Sequence, residues 1–161
     1  MDFDSGLTQC LPRLRRFAHS LSRNSADADD LTQMTIERAL TARRQWQPGT
    51  RLDSWLYRIM RNLWIDTARS RSRKASLEAP PEAAANIGVD PRPGMEASVD
   101  LARIMAAMER LPDEQREVVA LILIEGFGYR ETAEMLGLPI GTVSSRLVRG
   151  RTALLEMVGE R

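Results

Sequence analysis

The stretch from Ala75 to about Gly94 constrains this chain more than any other. It carries Pro80-Pro81, Ala83-Ala84-Ala85, Gly88, Pro91, Pro93 and Gly94. Repeated prolines and glycines interrupt any long helix, so the stretch reads as a flexible or extended linker. On both sides of it apolar residues recur with helical spacing, and no strand alternation appears anywhere. The fold class that follows is all-α: two small helical domains over 1–75 and 95–161, joined by a flexible linker over 76–94. A chain of 161 residues has room for two such units, and a hydrophobic content of 43% can fill their cores. Aromatics supply only 5%, so the packing must be mainly aliphatic.

The first half predicts three helices. Leu7, Leu11, Leu14, Phe17, Ala18 and Leu21 share one face of a helix over 7–21. Ser25 is the expected N-cap of a second helix, with Asp27, Asp29 and Asp30 in its first turn, where negative charge complements the helix dipole. It should run to about Arg44 and end before Pro48-Gly49. A third starts near Arg51 or Leu52, with Leu52, Trp55, Leu56, Ile59, Met60, Leu63 and Trp64 as an unbroken stripe. Beyond the linker a helix runs from about Met95 to Glu109 or Arg110. Pro112 opens another. Its Val118, Val119, Leu121, Ile122, Leu123 and Ile124 are apolar almost all round, so it should be the buried centre of the second domain, ended by Gly126 and Gly128.

Tyr129 to Leu147 then reads as a helix-turn-helix. Ala133 is small where two helices must approach, and Gly137 falls where the turn needs positive φ. Pro139 can open the second helix and Val143 anchor it inward; Glu131 can bond back to Gly128. Its outward residues are Thr142, Ser144, Ser145, Arg146, Arg149 and Arg151, a set of arginines and hydroxyls suited to phosphates and base edges in a DNA groove. The bland counterpart is a helical hairpin with a solvated basic face.

Net charge is only +1, so charge distribution carries the signal. Between Arg38 and Lys74 the basic residues are Arg38, Arg43, Arg44, Arg51, Arg58, Arg61, Arg69, Arg71, Arg73 and Lys74, against Asp53 and Asp66 alone. On the third helix Arg58, Arg61, Asn62, Asp66 and Arg69 fall away from the apolar stripe, where arginines can hold phosphates and Asn62 can read a base edge. The tail Arg69, Arg71, Arg73 and Lys74 extends that basic surface or is a solvated helix end. Trp55 and Trp64 read as core, whereas Trp46 and Tyr57 are the more open candidates for stacking on bases. Asp30, Gln33 and Glu37 share one side of the second helix, either to meet a basic partner or to be solvated.

Other chemistries are poorly supported. Cys10 and His19 are each the only residue of their kind, which leaves no intramolecular disulfide, no cysteine zinc site and no metal cluster. No paired carboxylates in an apolar setting and no phosphate loop appear, so neither catalytic residues nor a cofactor are expected. The N-terminus lacks a signal-peptide pattern and no apolar run reaches membrane-spanning length, so a cytoplasmic protein without membrane insertion is expected.

Taken in order, these motifs resemble the extracytoplasmic-function, or group IV, sigma factors of bacterial RNA polymerase, within the sigma-70 family. Asp27 to Leu40 and Ser54 to Asp66 look like sigma region 2; Leu111 to Val119 followed by Gly141 to Leu147 looks like region 4. The resemblance implies a transcription initiation factor that binds core RNA polymerase and directs it to one promoter class. Asp30, Gln33 and Glu37 would dock on the β′ clamp helices, with Met34 in place of the usual acidic residue. Arg58, Arg61, Asn62, Arg69, Arg71, Arg73 and Lys74 would bind the minus-ten element, and the loop before that helix would capture a flipped base. Thr142, Ser144, Ser145, Arg146, Arg149 and Arg151 would read the minus-thirty-five element, although Ser144 stands where many relatives carry a basic residue. The resemblance also implies promoter DNA, the β flap and an anti-sigma factor as partners. Two alternatives stay open: a free-standing helix-turn-helix regulator, and a sigma-like decoy for an anti-sigma factor.

Overall fold

The structure is a computed structural model and describes residues 2–77 and 96–159. Every regular element among them is helical. They form two compact units whose boundary falls in the undescribed stretch, as does most of the expected linker.

The first unit packs α1 (Phe3–Ser22), α2 (Ser25–Thr41) and α3 (Leu52–Leu77), with a 3-10 turn at Arg43–Gln45. α1 starts four residues before the expected Leu7, because Asp2 caps it: its Oδ1 accepts the Ser5 N–H at 2.9 Å. The added turn brings Phe3 into the core beside Leu7, Leu14, Phe17 and Leu21. The cap of α2 is Asn24 and not Ser25; Asn24 Oδ1 accepts the Asp27 N–H at 2.7 Å, and Asp27 alone is acidic in the first turn. α2 turns small residues inward, namely Ala28, Thr32, Thr35 and Ala39, so α1 and α3 can approach closely. The buried hydroxyls of Thr32 and Thr35 are satisfied by the Ala28 and Leu31 carbonyls.

α3 buries Leu56, Tyr57 and Met60 completely, while Leu52, Trp55, Ile59, Leu63 and Trp64 are half-buried. The expectation that Tyr57 is open is overturned. Tyr57 is 1% exposed, its ring 4.9 Å from Phe17, because the buried side of α3 is rotated toward Tyr57 and away from the Leu52–Leu63 edge. Trp46 is half-buried against Phe3, centroids 5.9 Å apart.

The second unit comprises α4 (Glu96–Glu109), α5 (Asp113–Val119), α6 (Tyr129–Leu136) and α7 (Ile140–Gly159). α5 does not continue as a uniformly buried helix. It widens into a π turn at Ala120–Ile124, closed by Glu125 N–H to Ala120 O, and this turn leaves Leu123 50% exposed while Phe127 folds into the core. Below it α5 and α7 approach so closely that Gly150 is required: a Cβ there would lie 2.7 Å from Val119 Cγ2. Arg116 is buried on the inner side of α5, donating to the Leu111 carbonyl at 2.7 Å and to the exposed carboxylate of Asp113. Gly137 ends α6 with φ 66° and the Glu131 carboxylate accepts the Gly128 N–H at 3.3 Å, both as the helix-turn-helix reading requires.

Candidate DNA and partner interfaces

Three surfaces hold the residues singled out above. On α2, Asp30, Gln33 and Glu37 are exposed and follow one another at three- and four-residue steps, so they form one row. Met34 and Leu40 beside them are 41% and 44% exposed, which makes the row amphipathic. Acidic and amide groups beside exposed aliphatic ones have the chemistry to meet a basic, partly apolar partner, and equally to be solvated.

On α3, at about 100° per residue, Arg58, Asn62, Arg69 and Arg73 fall within about 60° of one another. Arg58, Asn62, Arg69, Arg73 and Lys74 are exposed, and Arg61 is half-buried beside them. Arg71 points to the other side, with Trp64. Its guanidinium makes two 2.7 Å hydrogen bonds to Asp27 on α2 and lies 5.6 Å from the Trp64 ring centroid. Hydrogen bonding from Arg71, opposed in part by burial, holds the Asp27 carboxyl below its ordinary range; Asp27 in turn raises the Arg71 pKa. Arg71 is thus engaged within the unit, by a partner 44 residues away in the sequence.

The loop before α3 borders a cavity of about 380 Å³, lined by residues that include Asp2, Gln9, Cys10, Trp46, Thr50 and Asp53. Trp46 Nε1 is buried and meets no hydrogen-bond partner among the described residues. Asp53 fixes the loop to the helices. It accepts from Arg51 at 2.9 Å and from Arg13 at 3.2 Å, and from the Ser54 N–H at 2.8 Å. Burial pushes its pKa up, but those donors outweigh burial and keep it low. Cys10 is free and buried, and burial raises its thiol pKa.

On α7, Val143, Leu147 and Gly150 face the core. The six expected reading residues divide around that buried side. Thr142, Ser145, Arg146 and Arg149 line a concavity of about 270 Å³ together with Glu114 and Gln115 of α5. Ser144 and Arg151 lie on the opposite flank with Val148, which is 60% exposed. Arg146 is paired to Glu114, Nη2 to Oε2 at 3.4 Å. Nothing in the spacing of the sequence ties Glu114 to Arg146, because the pair exists only through the α5–α7 packing.

Comparison with known proteins adds an independent line. Residues 7–74 match the family model for Sigma-70 region 2, and residues 101–154 match that for Sigma-70 region 4. The chain is 39% identical over 144 residues to the ECF RNA polymerase sigma factor EcfG of Rhodopseudomonas palustris, covering 89% of this chain and 78% of that one. It is 39% identical over 161 residues to the ECF RNA polymerase sigma factor SigE of Mycolicibacterium smegmatis, covering 98% of this chain and 62% of that longer relative. Among solved structures, the sigma factor RpoE of Bartonella quintana, solved in complex with the anti-sigma factor NepR, superposes with a TM-score of 0.87 at 34% identity over 99% of each chain.

Proposed function

The chain belongs to the extracytoplasmic-function sigma factors of the sigma-70 family, and we propose from that premise how its surfaces divide the work of transcription initiation. The protein binds core RNA polymerase and directs it to a specific class of promoter. Residues 1–75 serve as the region 2 domain and 95–161 as the region 4 domain, with 76–94 as the linker. The α2 row of Asp30, Gln33 and Glu37, with Met34 and Leu40 exposed among them, docks on the β′ clamp helices. The β flap is the proposed partner of the second unit.

The single observation that carries this division is the opposition of buried and basic faces on α3 and α7. Each helix turns one side to its own core and presents arginines and small polar groups on another. Arg58, Arg61, Asn62, Arg69, Arg73 and Lys74 are assigned to the minus-ten element. Thr142, Ser144, Ser145, Arg146, Arg149 and Arg151 are assigned to the minus-thirty-five element. Arg71 is assigned first to bracing α2 against α3, which keeps the docking face and the DNA face in fixed register. The cavity beside the loop at Trp46 is assigned to a base flipped from the melted strand; the unpartnered Trp46 Nε1–H supports that reading as a donor for a base acceptor.

Action is by binding energy and not by catalysis: interactions that favour the melted promoter over duplex lower the cost of opening it. The protein works in the cytoplasm, where its polymerase is. A partner of the anti-sigma class is assigned by analogy with the Bartonella quintana relative, which was solved with one bound.

Run-off transcription with purified core polymerase, this protein and a library of host genomic fragments tests the reading. Discrete transcripts that share two spaced upstream motifs are expected. Duplex binding by the protein alone, without polymerase-dependent transcripts, would instead establish a free-standing regulator.

A further inference from the structure

We infer that Glu114 is a specificity-determining residue for promoter recognition, acting as a positioning group through Arg146. The inference rests on the reading of α7 as the DNA-reading helix. Glu114 lies in the first turn of α5, outside the helix-turn-helix itself, and its side chain is 61% exposed. Its Oε2 stands 3.4 Å from Nη2 of Arg146, which is 28% exposed and set on the edge of the concavity that Thr142, Ser145 and Arg149 also line.

That distance is an ion pair longer than a good N–H···O hydrogen bond. It orients the guanidinium without consuming its donors, and Arg has five of them in a fixed fork. An exposed pair of this kind contributes little to stability, so its consequence falls on the ligand. Among the described residues Glu114 is the only carboxylate lining this concavity, beside two arginines.

The two DNA components that Arg146 can reach respond differently to that carboxylate. A phosphate is a full anion, and approaching Arg146 brings it close to Glu114, so like charges oppose the contact. A guanine edge offers the neutral acceptors O6 and N7, and feels little such repulsion. The carboxylate therefore penalises sequence-independent backbone binding at this spot more than base readout. Its presence lowers the affinity for arbitrary duplex and widens the gap between the correct sequence and the rest.

The test uses holoenzyme assembled from the full chain and core polymerase, with duplexes randomised across the minus-thirty-five block. The readouts are the spread of enrichment among sequences and the retention of non-promoter duplex. Glu114→Gln is expected to compress the spread by roughly three- to tenfold, a fraction of what one bidentate arginine–guanine pair discriminates, and to raise non-promoter retention. In an Arg146→Gln background the same substitution is expected to change neither readout, because the residue through which Glu114 acts is gone. Glu156→Gln, the same charge change at the far end of α7, is expected to leave the spread intact. Compression that persists without Arg146, or that Glu156→Gln reproduces, overturns the inference in favour of a general charge effect. No effect of Glu114→Gln while Arg146→Gln compresses the spread overturns it and leaves the α7 reading standing. No effect of Arg146→Gln removes that reading and the inference with it.

Discussion

Replacing Arg71 by alanine is expected to destabilise the first unit by about 1–2 kcal/mol, although the residue reads from sequence as part of a DNA-binding tail. The guanidinium makes two 2.7 Å bonds to Asp27 and sits over Trp64. Its side chain is 55% exposed, which puts the ion pair in the solvent-screened class of about 0.2–1 kcal/mol, with the bidentate geometry favouring the upper end. The cation–π contact adds about 0.5–1 kcal/mol at such exposure. All three tryptophans, Trp46, Trp55 and Trp64, belong to this unit, so tryptophan fluorescence during urea unfolding follows it without the other. A double-mutant cycle with Asp27→Ala separates the pair from the loss of the Asn24 contact and of a favourable first-turn charge. The coupling energy should be about 0.5–1 kcal/mol at neutral pH and low salt. Because Arg71 keeps the folded-state pKa of Asp27 below its unfolded value, that stability is present above about pH 4 and is lost as pH falls through the folded value. A coupling of zero at neutral pH, or one that does not fall as the Asp27 carboxylate is protonated in acid, would refute the bracing role.

Three further outcomes are expected. Asp30→Arg should weaken binding to core polymerase about tenfold in a pull-down or fluorescence titration, since it reverses one charge in an exposed acidic row, and should leave the chain folded with only a small loss of thermal stability from repulsion of Arg71; unchanged affinity would mean the row is merely solvated. Arg149→Ala should reduce discrimination at the minus-thirty-five element by about 1–3 kcal/mol in competition binding, with polymerase affinity intact; an equal loss of polymerase binding would count against its place on the reading face. Gly150→Ala should destabilise the second unit by about 1 kcal/mol, because overpacking against Val119 exceeds the gain in helix propensity, whereas Gly141→Ala, with open space around it, should be neutral or stabilising. Thermal melts followed by circular dichroism compare the two, and a stabilising Gly150→Ala would show that α5 and α7 are looser than described.

By itself the sequence determined the secondary structure class, the helix-turn-helix and the separation into basic and acidic stretches. These depend on local quantities: helical period, a glycine where φ must be positive at Gly137, and a carboxylate three residues after Gly128. Its errors were local competitions between neighbours, such as Asn24 taking the cap from Ser25 and Asp2 extending α1 by a turn. The tertiary structure alone decided how the basic residues divide. Arg71 and Arg69 are near neighbours in sequence, yet they point to different sides of α3, and only the packing of α2 supplies Asp27 to one of them. Tyr57 was buried by the rotation of α3 against Phe17, and Leu123 was exposed by a π turn that no apolar count foresees. Glu114 meets Arg146 through the packing of α5 on α7, which Gly150 lets close to a distance where a Cβ would press on Val119. Periodicity assigns a residue to a face of its own helix; which charge stands opposite that face is set by the helix packed against it.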